Sequence, residues 1–432
     1  MVVPLLWLLP TVAFGQIQGT YTVSARLEAA DRSPYEGIDA LTAKHAVDIE
    51  LFPLAETELF APGALHMSAV YAPAFRMREL NAGPLEYEDG RTTPGRRFEH
   101  YHRVAWLAER RQEGAMRPYV RQAFSYGRMD LLAAFMGTPA LPGVPLTPRP
   151  VPSQNVNTFS LTDVLLETEA GVEIPLSRYW VATAFAGYAW GGGLNAEARA
   201  VLPMARSPFL GAQTQWQMSS SDTLILRLAA RYSFFLSNHA EAGTVDLYET
   251  WRHAFDENTS VELSAGASAY GGRPIPTNPE NPGTLLEQKS PFQWHAAPYV
   301  ALRFFHHLEW GTHNVDVDAN AQIAPFLDRY TASAYERVEA SIGLRWRWEE
   351  LYANARGGLG KGLGHIERQL SMTAYFAEAA LGYRINPYLR TEFRGSYASL
   401  PQMVATELAP ELIRMGRWRV ALSLTVEYAG SY

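Results

Sequence analysis

The sequence has 432 residues, of which 47% are hydrophobic, 12% aromatic and only 19% charged, and its formal net charge is −7. Cysteine is absent, which excludes disulfide frameworks, thiolate metal sites and cysteine nucleophiles. The acidic balance offers no basic surface, so we expect no nucleic-acid partner. So many aromatic residues with so few charges are unusual in a water-soluble domain.

The chain begins with an apolar stretch at residues 2–14, and Ala13-Phe14-Gly15 supplies the small residues that a signal peptidase reads before Gln16. We therefore expect residues 1–15 to be a signal peptide, although no Lys or Arg precedes the stretch. The longest weakly apolar run after it, 179–194, is shorter than the 18 or more residues of a membrane-spanning helix. The sequence therefore predicts an exported protein without a helical membrane span.

From Ile17 onward, apolar and polar residues alternate. Residues 17–29 alternate at every position, which predicts a β-strand with one apolar and one polar face. The same alternation recurs at 337–348 and 417–428, and at 223–234 with Ile225 as the single misfit. Long strands with two different faces are therefore the repeated element of the chain.

Strand length separates a membrane barrel from a soluble sandwich. Strands of soluble proteins usually have about 5 to 6 residues. These segments are about twice as long, and many end in Trp, Tyr or Phe on the apolar parity, as strands that cross a bilayer do. The abundant Ala and Gly on the apolar parity would also form a poor core between two sheets. The segments are therefore predicted to be transmembrane strands.

The predicted fold is all-β: a closed antiparallel transmembrane β-barrel of about 18 strands that forms a single domain over residues 16–432. An even strand number lets the last strand pair with the first, so that no edge is left unpaired in lipid. The connections alternate between short ones, typical of periplasmic turns, and long ones, typical of extracellular loops. The predicted strands are 17–29, 43–54, 63–75, 99–110, 117–130, 158–173, 178–190, 209–218, 222–235, 244–255, 259–270, 292–305, 309–323, 334–348, 351–360, 371–384, 388–399 and 416–428.

Two segments fit this scheme less simply. A strand within 191–208 would reverse the direction of every upstream strand, so we assign this segment to a long outer loop that folds inward or is partly helical. The link at 54–62 is long for a periplasmic turn.

The polar parity is predicted to face water inside the barrel, because Arg or Lys facing lipid at mid-depth costs about 2–4 kcal/mol. Its arginines could bind a carboxylate or phosphate of a passing solute through two hydrogen bonds. They could equally pair with wall glutamates and stiffen the wall, which is the favoured interpretation. Tyr299 and Phe376 are also inward by parity and suggest aromatic platforms for sugars. The predicted pore-lining residues are Arg227, Arg231, Arg337, Glu339, Arg345, Arg347, Asp316, Asp318, Glu378, Arg390, Glu392, Arg394, Arg417, Arg419 and Glu427.

Other polar residues are weaker candidates for a metal, phosphate or catalytic site. Asp316 and Asp318 could ligate calcium, but no third acidic ligand is adjacent, and a wet channel wall is favoured. The glycine run 357–364 lacks the Ser or Thr of a phosphate-binding loop and is predicted to be a flexible outer loop. His306-His307 is placed in an inner turn. A barrel enzyme would need a nucleophile and a base on the wall, and the candidates near one outer hairpin are Ser237, His239, Asp246 and His253. We expect no metal, no cofactor and no enzymatic activity.

The last strand is apolar on one parity, which includes the aromatic residues Tyr428 and Tyr432. It resembles the terminal sorting signal of bacterial outer-membrane proteins, and the hairpin 381–390 is similar to inner turns of porin-like barrels. The resemblance implies localisation in the bacterial outer membrane, contact with outer-membrane lipid and recognition by the barrel-assembly machinery. Stand-alone barrels of exopolysaccharide export systems are similar in size and in having no further domain.

This resemblance implies an outer-membrane channel for hydrophilic material, most specifically for the export of a polysaccharide, with a periplasmic polysaccharide-export component as a further partner. Passive diffusion of nutrients through a porin is the direct alternative. A barrel enzyme, or a surface receptor or adhesin with a closed lumen, are the other two.

Overall fold

A computed structural model describes residues 16–31, 45–61, 65–80, 85–86, 92–93, 96–111, 116–128, 162–195, 199, 203–236, 240–273, 277–278, 281–285, 292–328, 333–363, 373–399 and 416–431. The predicted signal peptide at residues 1–15 lies outside them. The strands are β1 (Gln16–Asp31), β2 (His45–Ala61), β3 (Leu65–Tyr71), β4 (Ala74–Leu80), β5 (Leu85–Glu86), β6 (Thr92–Thr93), β7 (Arg96–Arg110), β8 (Arg117–Arg128), β9 (Thr162–Pro175), β10 (Trp180–Gly193), β11 (Ala205–Gln217), β12 (Asp222–Phe235), β13 (Glu241–Ala254), β14 (Thr259–Arg273), β15 (Thr277–Asn278), β16 (Asn281–Leu285), β17 (Gln293–Trp310), β18 (His313–Asp328), β19 (Ser333–Trp348), β20 (Leu351–Leu363), β21 (Thr373–Asn386), β22 (Leu389–Ser399) and β23 (Gly416–Ser431).

One large antiparallel sheet contains all strands except two small hairpins, β5 with β6 and β15 with β16. β3 and β4 are two parts of one strand that is interrupted at Ala72 and Pro73, because proline has no N–H for the ladder. The sheet therefore has eighteen strands, as predicted, and each pairs with the next in chain order. The first strand also pairs with the last, from Gln18 opposite Ser431 to Ala30 opposite Arg419.

The connections differ in length between the two ends of the sheet. At one end, here called the short-turn end, each connection has two to six residues. At the other, the long-loop end, most connections are longer, and the one between β8 and β9 has 33 residues. Two connections at the long-loop end are short as well: five residues join β12 to β13, and four join β18 to β19.

Local chemistry shapes the short turns. Gly311 and Glu349 open two-residue turns and have φ angles of 61° and 51°, the left-handed conformation that such hairpins favour. In the turn between β13 and β14, the backbone amide of Asn258 and the hydroxyl of Thr259 donate hydrogen bonds to Asp256. These bonds lower the pKa of Asp256 from its ordinary value, so the ionised carboxylate holds this turn.

Several predicted boundaries are wrong because the ladders continue past the alternating residues. β2 runs to Ala61, so most of the link predicted at 54–62 is strand. β17 runs to Trp310, so His306 and His307 lie in a strand and not in a turn.

Residues 357–363 of the glycine run, which were predicted to form a flexible outer loop, belong to β20, where they pair with β19. β10 ends at Gly193 and β11 begins at Ala205, which shortens the predicted outer loop. Backbone pairing needs no alternation of side chains, so the sequence pattern understates these strands.

The two faces of the sheet carry different side chains. On the outer face, large apolar side chains are exposed, among them Leu210 at 58% and Ile342 at 59%. Aromatic side chains lie toward both ends of this face, with Trp180 and Trp216 at the short-turn end and Trp294 at the long-loop end. An extended apolar exterior flanked by aromatic residues is suited to lipid. The alternate residues form the inner face, which is rich in charge. No helix within the described ranges has the length and apolar character needed to span a bilayer.

Candidate functional site

All predicted pore-lining residues occupy inner-face positions, on the parity opposite to the exposed apolar side chains. They are Arg227 and Arg231 on β12, Asp316 and Asp318 on β18, Arg337, Glu339, Arg345 and Arg347 on β19, Glu378 on β21, Arg390, Glu392 and Arg394 on β22, and Arg417, Arg419 and Glu427 on β23. For Arg417 and Arg419, only the backbone position is described. Tyr428 occupies the outer parity of β23, while its side chain and all of Tyr432 lie outside the described part of the chain.

Most inner-face arginines of the described residues are paired with carboxylates. Arg394 lies 2.7 Å from Glu392 and 3.2 Å from Glu378. Arg337 lies 2.9 Å from Glu339, and the two side chains are only 3% and 8% exposed. Pairing with wall glutamates is the arrangement that the sequence favoured over solute binding, and here Arg394 pairs both within its strand and across to β21, while Arg337 pairs within its own strand.

Sequence reasoning missed part of this network. Glu167 and Glu169 occupy the inner parity of β9, where Glu169 pairs with Arg121 at 2.6 Å and Glu167 with Arg231 at 3.3 Å. The alternation of Glu167 and Glu169 with Thr168 is visible in the sequence and could have identified both as inner-face residues. Arg121 lies opposite Glu169 on the adjacent strand β8, but Arg231 could not be found in this way, because β9 and β12 are separated by two other strands.

Arg345 and Arg347 differ from the other arginines because they are exposed at the short-turn end. The side chain of Arg345 is 64% exposed, and its nearest acidic partner, Asp316, lies at the long distance of 3.9 Å. An ion pair this exposed contributes little. Both guanidinium groups can therefore act on ions that enter from this end.

Replacing Arg345 and Arg347 together by Gln is expected to shift the ion selectivity of the protein toward cations, because two positive charges disappear from the entrance while Asp316 and Glu309 remain. The reversal potential in a salt gradient across a planar bilayer measures this shift. Arg178→Gln, in an exposed turn at the same end, is the control and should leave the potential unchanged. Equal reversal potentials for wild type and the double variant would remove the selective role.

Two described histidines, His253 and His307, have carboxylate partners. His307 contacts Asp316 through Nδ1 at 2.6 Å and Glu309 through Nε2 at 2.9 Å, so two carboxylates occupy both ring nitrogens. His253 contacts Asp222 at 2.8 Å, but the hydroxyls of Ser219 and Ser221 are bonded to that aspartate and not to the histidine. A serine nucleophile needs the reverse order, with the histidine between the hydroxyl and the acid.

The predicted grouping of Asp246 with His253 is wrong. Asp246 lies on the inner face and accepts a hydrogen bond from Ser268 at 2.7 Å, while His253 lies on the outer parity near the short-turn end. Ser237 and His239 lie outside the described residues. The sequence alone could not separate these side chains, since their height and face depend on the ladder register.

Asp316 and Asp318 are not joined by a third ligand. Asp316 is engaged by His307, and Asp318 packs against Gly343 of the neighbouring strand. Among the described residues, no group of three or more His, Asp or Glu side chains is arranged to hold a metal ion.

Aromatic rings lie flat against the inner face, on glycines of adjacent strands. Phe185 lies on Gly211 and Phe209 on Gly187, so closely that a Cβ atom at either glycine would overlap the ring. Arginines cover these rings in turn: Arg231 lies 4.7 Å from the centre of the Phe209 ring. The Phe185 and Phe209 rings are thus covered by a glycine on one side and by an arginine on the other.

The two aromatic platforms suggested by the sequence are therefore only partly available. Phe376 is 5% exposed, between Gly358 and Arg356. The Tyr299 ring is stacked on the Tyr248 ring with their centres 4.0 Å apart, so one of its faces is already covered.

An apolar cluster fills part of the inner face at the long-loop end. It joins the tips of two hairpins, β12–β13 and β18–β19, although β14 and β17 lie between them in the sheet. We call it the apolar clasp. Its buried members are Ala205, Phe235, Ala240, Ala242, Tyr270, Ala297, Ala334 and Tyr335, with Phe326 and Leu327 packed against them. Phe235 and Tyr335 are 1% and 2% exposed. The tips of these two hairpins, which have short connections, therefore meet each other.

Eighteen long antiparallel strands with an apolar outer face and a charged inner face define a β-barrel protein of the bacterial outer membrane. The chain belongs to the EpsX exopolysaccharide export family, whose model matches residues 12–409. This membership confirms the resemblance to polysaccharide-export barrels that the sequence suggested.

The chain is also similar to solved structures of low sequence identity. OccK2 (OpdF) of Pseudomonas aeruginosa, crystallised with glucuronate, is 11% identical with a TM-score of 0.43, over 95% of this chain and 98% of that chain. OccAB3 of Acinetobacter baumannii is 10% identical with a TM-score of 0.44, over 95% and 99%. A BenF-like porin of Pseudomonas fluorescens Pf-5 is 10% identical with a TM-score of 0.43, over 95% and 99%. No curated protein matches the sequence.

Proposed function

We propose that this protein is a channel that exports an exopolysaccharide across the outer membrane, with its sheet closed into a membrane-spanning cylinder. The observation that carries the proposal is the family match over residues 12–409. The pairing of β1 with β23 supports closure, because it leaves no strand of the main sheet with a free edge in lipid. At eighteen strands, side chains cannot fill the interior of a cylinder, and a water-filled path remains unless loops or clusters close it.

The difference between the two ends supports entry of the polymer from the periplasm. At the short-turn end, which we assign to the periplasm, Arg345 and Glu309 are 64% and 66% exposed. Toward the long-loop end, the inner-face pair Arg76 and Glu99 is completely buried, and the apolar clasp is buried as well. A wall that is exposed at the periplasmic end and buried toward the other end suits a polymer delivered by a secretion machine.

We also propose three partners for the protein. A periplasmic polysaccharide-export component would dock on the short-turn end, and the barrel-assembly machinery would recognise the last strand with Tyr428 and Tyr432. The outer face contacts lipid. The pore-lining residues would hold water and the polymer along the path, and passage requires no bond to be made or broken.

Deletion of the gene in the native bacterium tests the proposal. Polymer synthesis is expected to continue while polysaccharide disappears from the cell surface and accumulates inside the envelope. Reconstituted full-length protein is expected to conduct ions across a planar bilayer. Normal surface polysaccharide combined with impaired uptake of a nutrient would instead identify a diffusion porin. A folded protein that never conducts would contradict the channel and favour a closed receptor.

A further inference from the structure

Arg227 differs from its inner-face neighbours in the middle of β12. Its guanidinium lies over the Phe185 ring, 5.6 Å from the ring centre. The arginines nearby are neutralised, Arg121 by Glu169 and Arg231 by Glu167. Within the described ranges, no carboxylate oxygen lies within 4.0 Å of the Arg227 guanidinium nitrogens. Its positive charge is therefore available to a ligand.

The side chains around Arg227 combine one acid with several aromatic rings. Arg227 is close enough to Asp246 and to the hydroxyls of Tyr119 and Tyr299 for electrostatic interaction. Tyr299 is stacked on Tyr248, which stands opposite Arg227 in the ladder between β12 and β13. The two tyrosines can approach because Gly266, which lies between them in the ladder, has no side chain.

Among the described contacts, Asp246 and Arg227 do not form an ion pair with each other, although they are neighbours on the wall. Asp246 accepts a hydrogen bond from Ser268, and Tyr119 donates one to Glu169. Arg227 therefore offers hydrogen-bond donors, and Asp246 offers acceptors, at neighbouring positions on one wall. A ligand that carries both an anionic group and hydroxyls would match this pair.

We propose that Arg227, Asp246, Tyr119, Tyr248 and Tyr299 form a binding station for an acidic sugar residue, specifically a uronic acid, of the exported polymer. This inference rests on the proposed function and names its substrate class. The carboxylate of the sugar binds the Arg227 fork through two hydrogen bonds, which a compact ammonium could not provide. Sugar hydroxyls bind Asp246 and the tyrosine hydroxyls, and the apolar side of the sugar ring lies on the tyrosine rings.

The arrangement also fits transport. Binding in a channel must be strong enough for entry and weak enough for release. A single free arginine next to an aspartate meets this requirement, because Asp246 limits the attraction that an anion experiences. Neutral sugars would make the ring and hydroxyl contacts but not the contact with Arg227, and would therefore bind more weakly.

Current blockade in planar bilayers tests the station with full-length protein. Oligogalacturonate, a uronic acid oligomer, is expected to block wild-type current at lower concentration than maltohexaose, a neutral oligomer of similar size. Arg227→Gln is expected to weaken the oligogalacturonate block about tenfold, the loss of a charge-assisted contact, and to leave the maltohexaose block unchanged. Arg178→Gln, in an exposed turn, is the matched control and should behave as wild type.

Two outcomes would overturn the station while leaving the channel intact: equal block by both oligomers in wild type, or an oligogalacturonate block that Arg227→Gln does not change. Binding of labelled oligogalacturonate to detergent-solubilised protein gives a second measurement that needs no current. There, the affinity should fall about tenfold in Arg227→Gln, and an unchanged affinity would reject the station. Absence of current from wild type, by contrast, contradicts the channel and leaves the binding measurement to decide on the station.

Discussion

Truncation of Phe235 and Tyr335 to alanine is expected to raise the single-channel conductance, because these two rings hold the apolar clasp together at the long-loop end. Both are almost completely buried, at 1% and 2% exposure. Tyr335 also packs against Phe326, with the ring centres 5.5 Å apart. Each truncation of a buried aromatic residue costs about 3–5 kcal/mol of stability, so the two hairpin tips should separate. Conductance in planar bilayers and entry of large antibiotics into cells measure the opening.

Phe234→Ala is the control for this experiment. Phe234 is adjacent to Phe235 but lies on the outer face, where it is 44% exposed. The same truncation there removes an aromatic ring from the lipid side and should leave conductance unchanged. If a folded Phe235→Ala, Tyr335→Ala variant conducts as wild type does, the path is closed elsewhere and the clasp is only a packing feature.

Replacement of Glu339 by Leu is expected to destabilise the fold by about 3–5 kcal/mol, because it leaves the buried guanidinium of Arg337 without its partner. Gln322 also donates a hydrogen bond to Glu339 at 2.8 Å and would lose its acceptor. Arg337 cannot turn toward water easily, since it lies over Phe326, 4.8 Å from the ring centre, and against Gly360. Urea unfolding in detergent, or the temperature at which the folded band disappears on a gel, measures the loss.

Two variants make this result specific. Glu309→Leu removes a carboxylate from the same face at a position that is 66% exposed, and it should change stability little. The double variant Arg337→Met, Glu339→Leu should recover much of the lost stability, because a buried apolar pair replaces an isolated charge. Equal destabilisation by Glu339→Leu and Glu309→Leu would show that burial of the pair is unimportant.

Much of the strand arrangement could be predicted because alternation is a local property. The eighteen strands, and the choice of which residues of β12 and β19 face inward, follow from alternation with a period of two residues. This alternation can be recognised without knowing which strands are adjacent. Where alternation fades, the prediction failed. The ends of β2, β17 and β20 are fixed by ladders with adjacent strands, and a run such as Gly357 and Gly358 gives no pattern to read.

The sequence could not predict which inner-face arginines pair with a carboxylate and which are exposed. Arg227 and Arg231 lie four residues apart on one strand and look equivalent. The structure gives Arg231 a partner at Glu167, 64 residues away, and places Arg227 beside Phe185, with no carboxylate within 4.0 Å among the described residues. Arg337 and Arg345 share one face of β19, yet the side chain of the first is 3% exposed and that of the second is 64% exposed, because Phe326 and Gly360 pack against Arg337.

The sequence by itself determined which residues face lipid and which face inward, since a strand turns successive side chains to opposite sides whatever it pairs with. It also determined the number of strands. Only the tertiary structure decided which charges are neutralised and which rings are covered. Those properties depend on distances between residues far apart in the chain, and these distances are set by the register and curvature of the whole sheet.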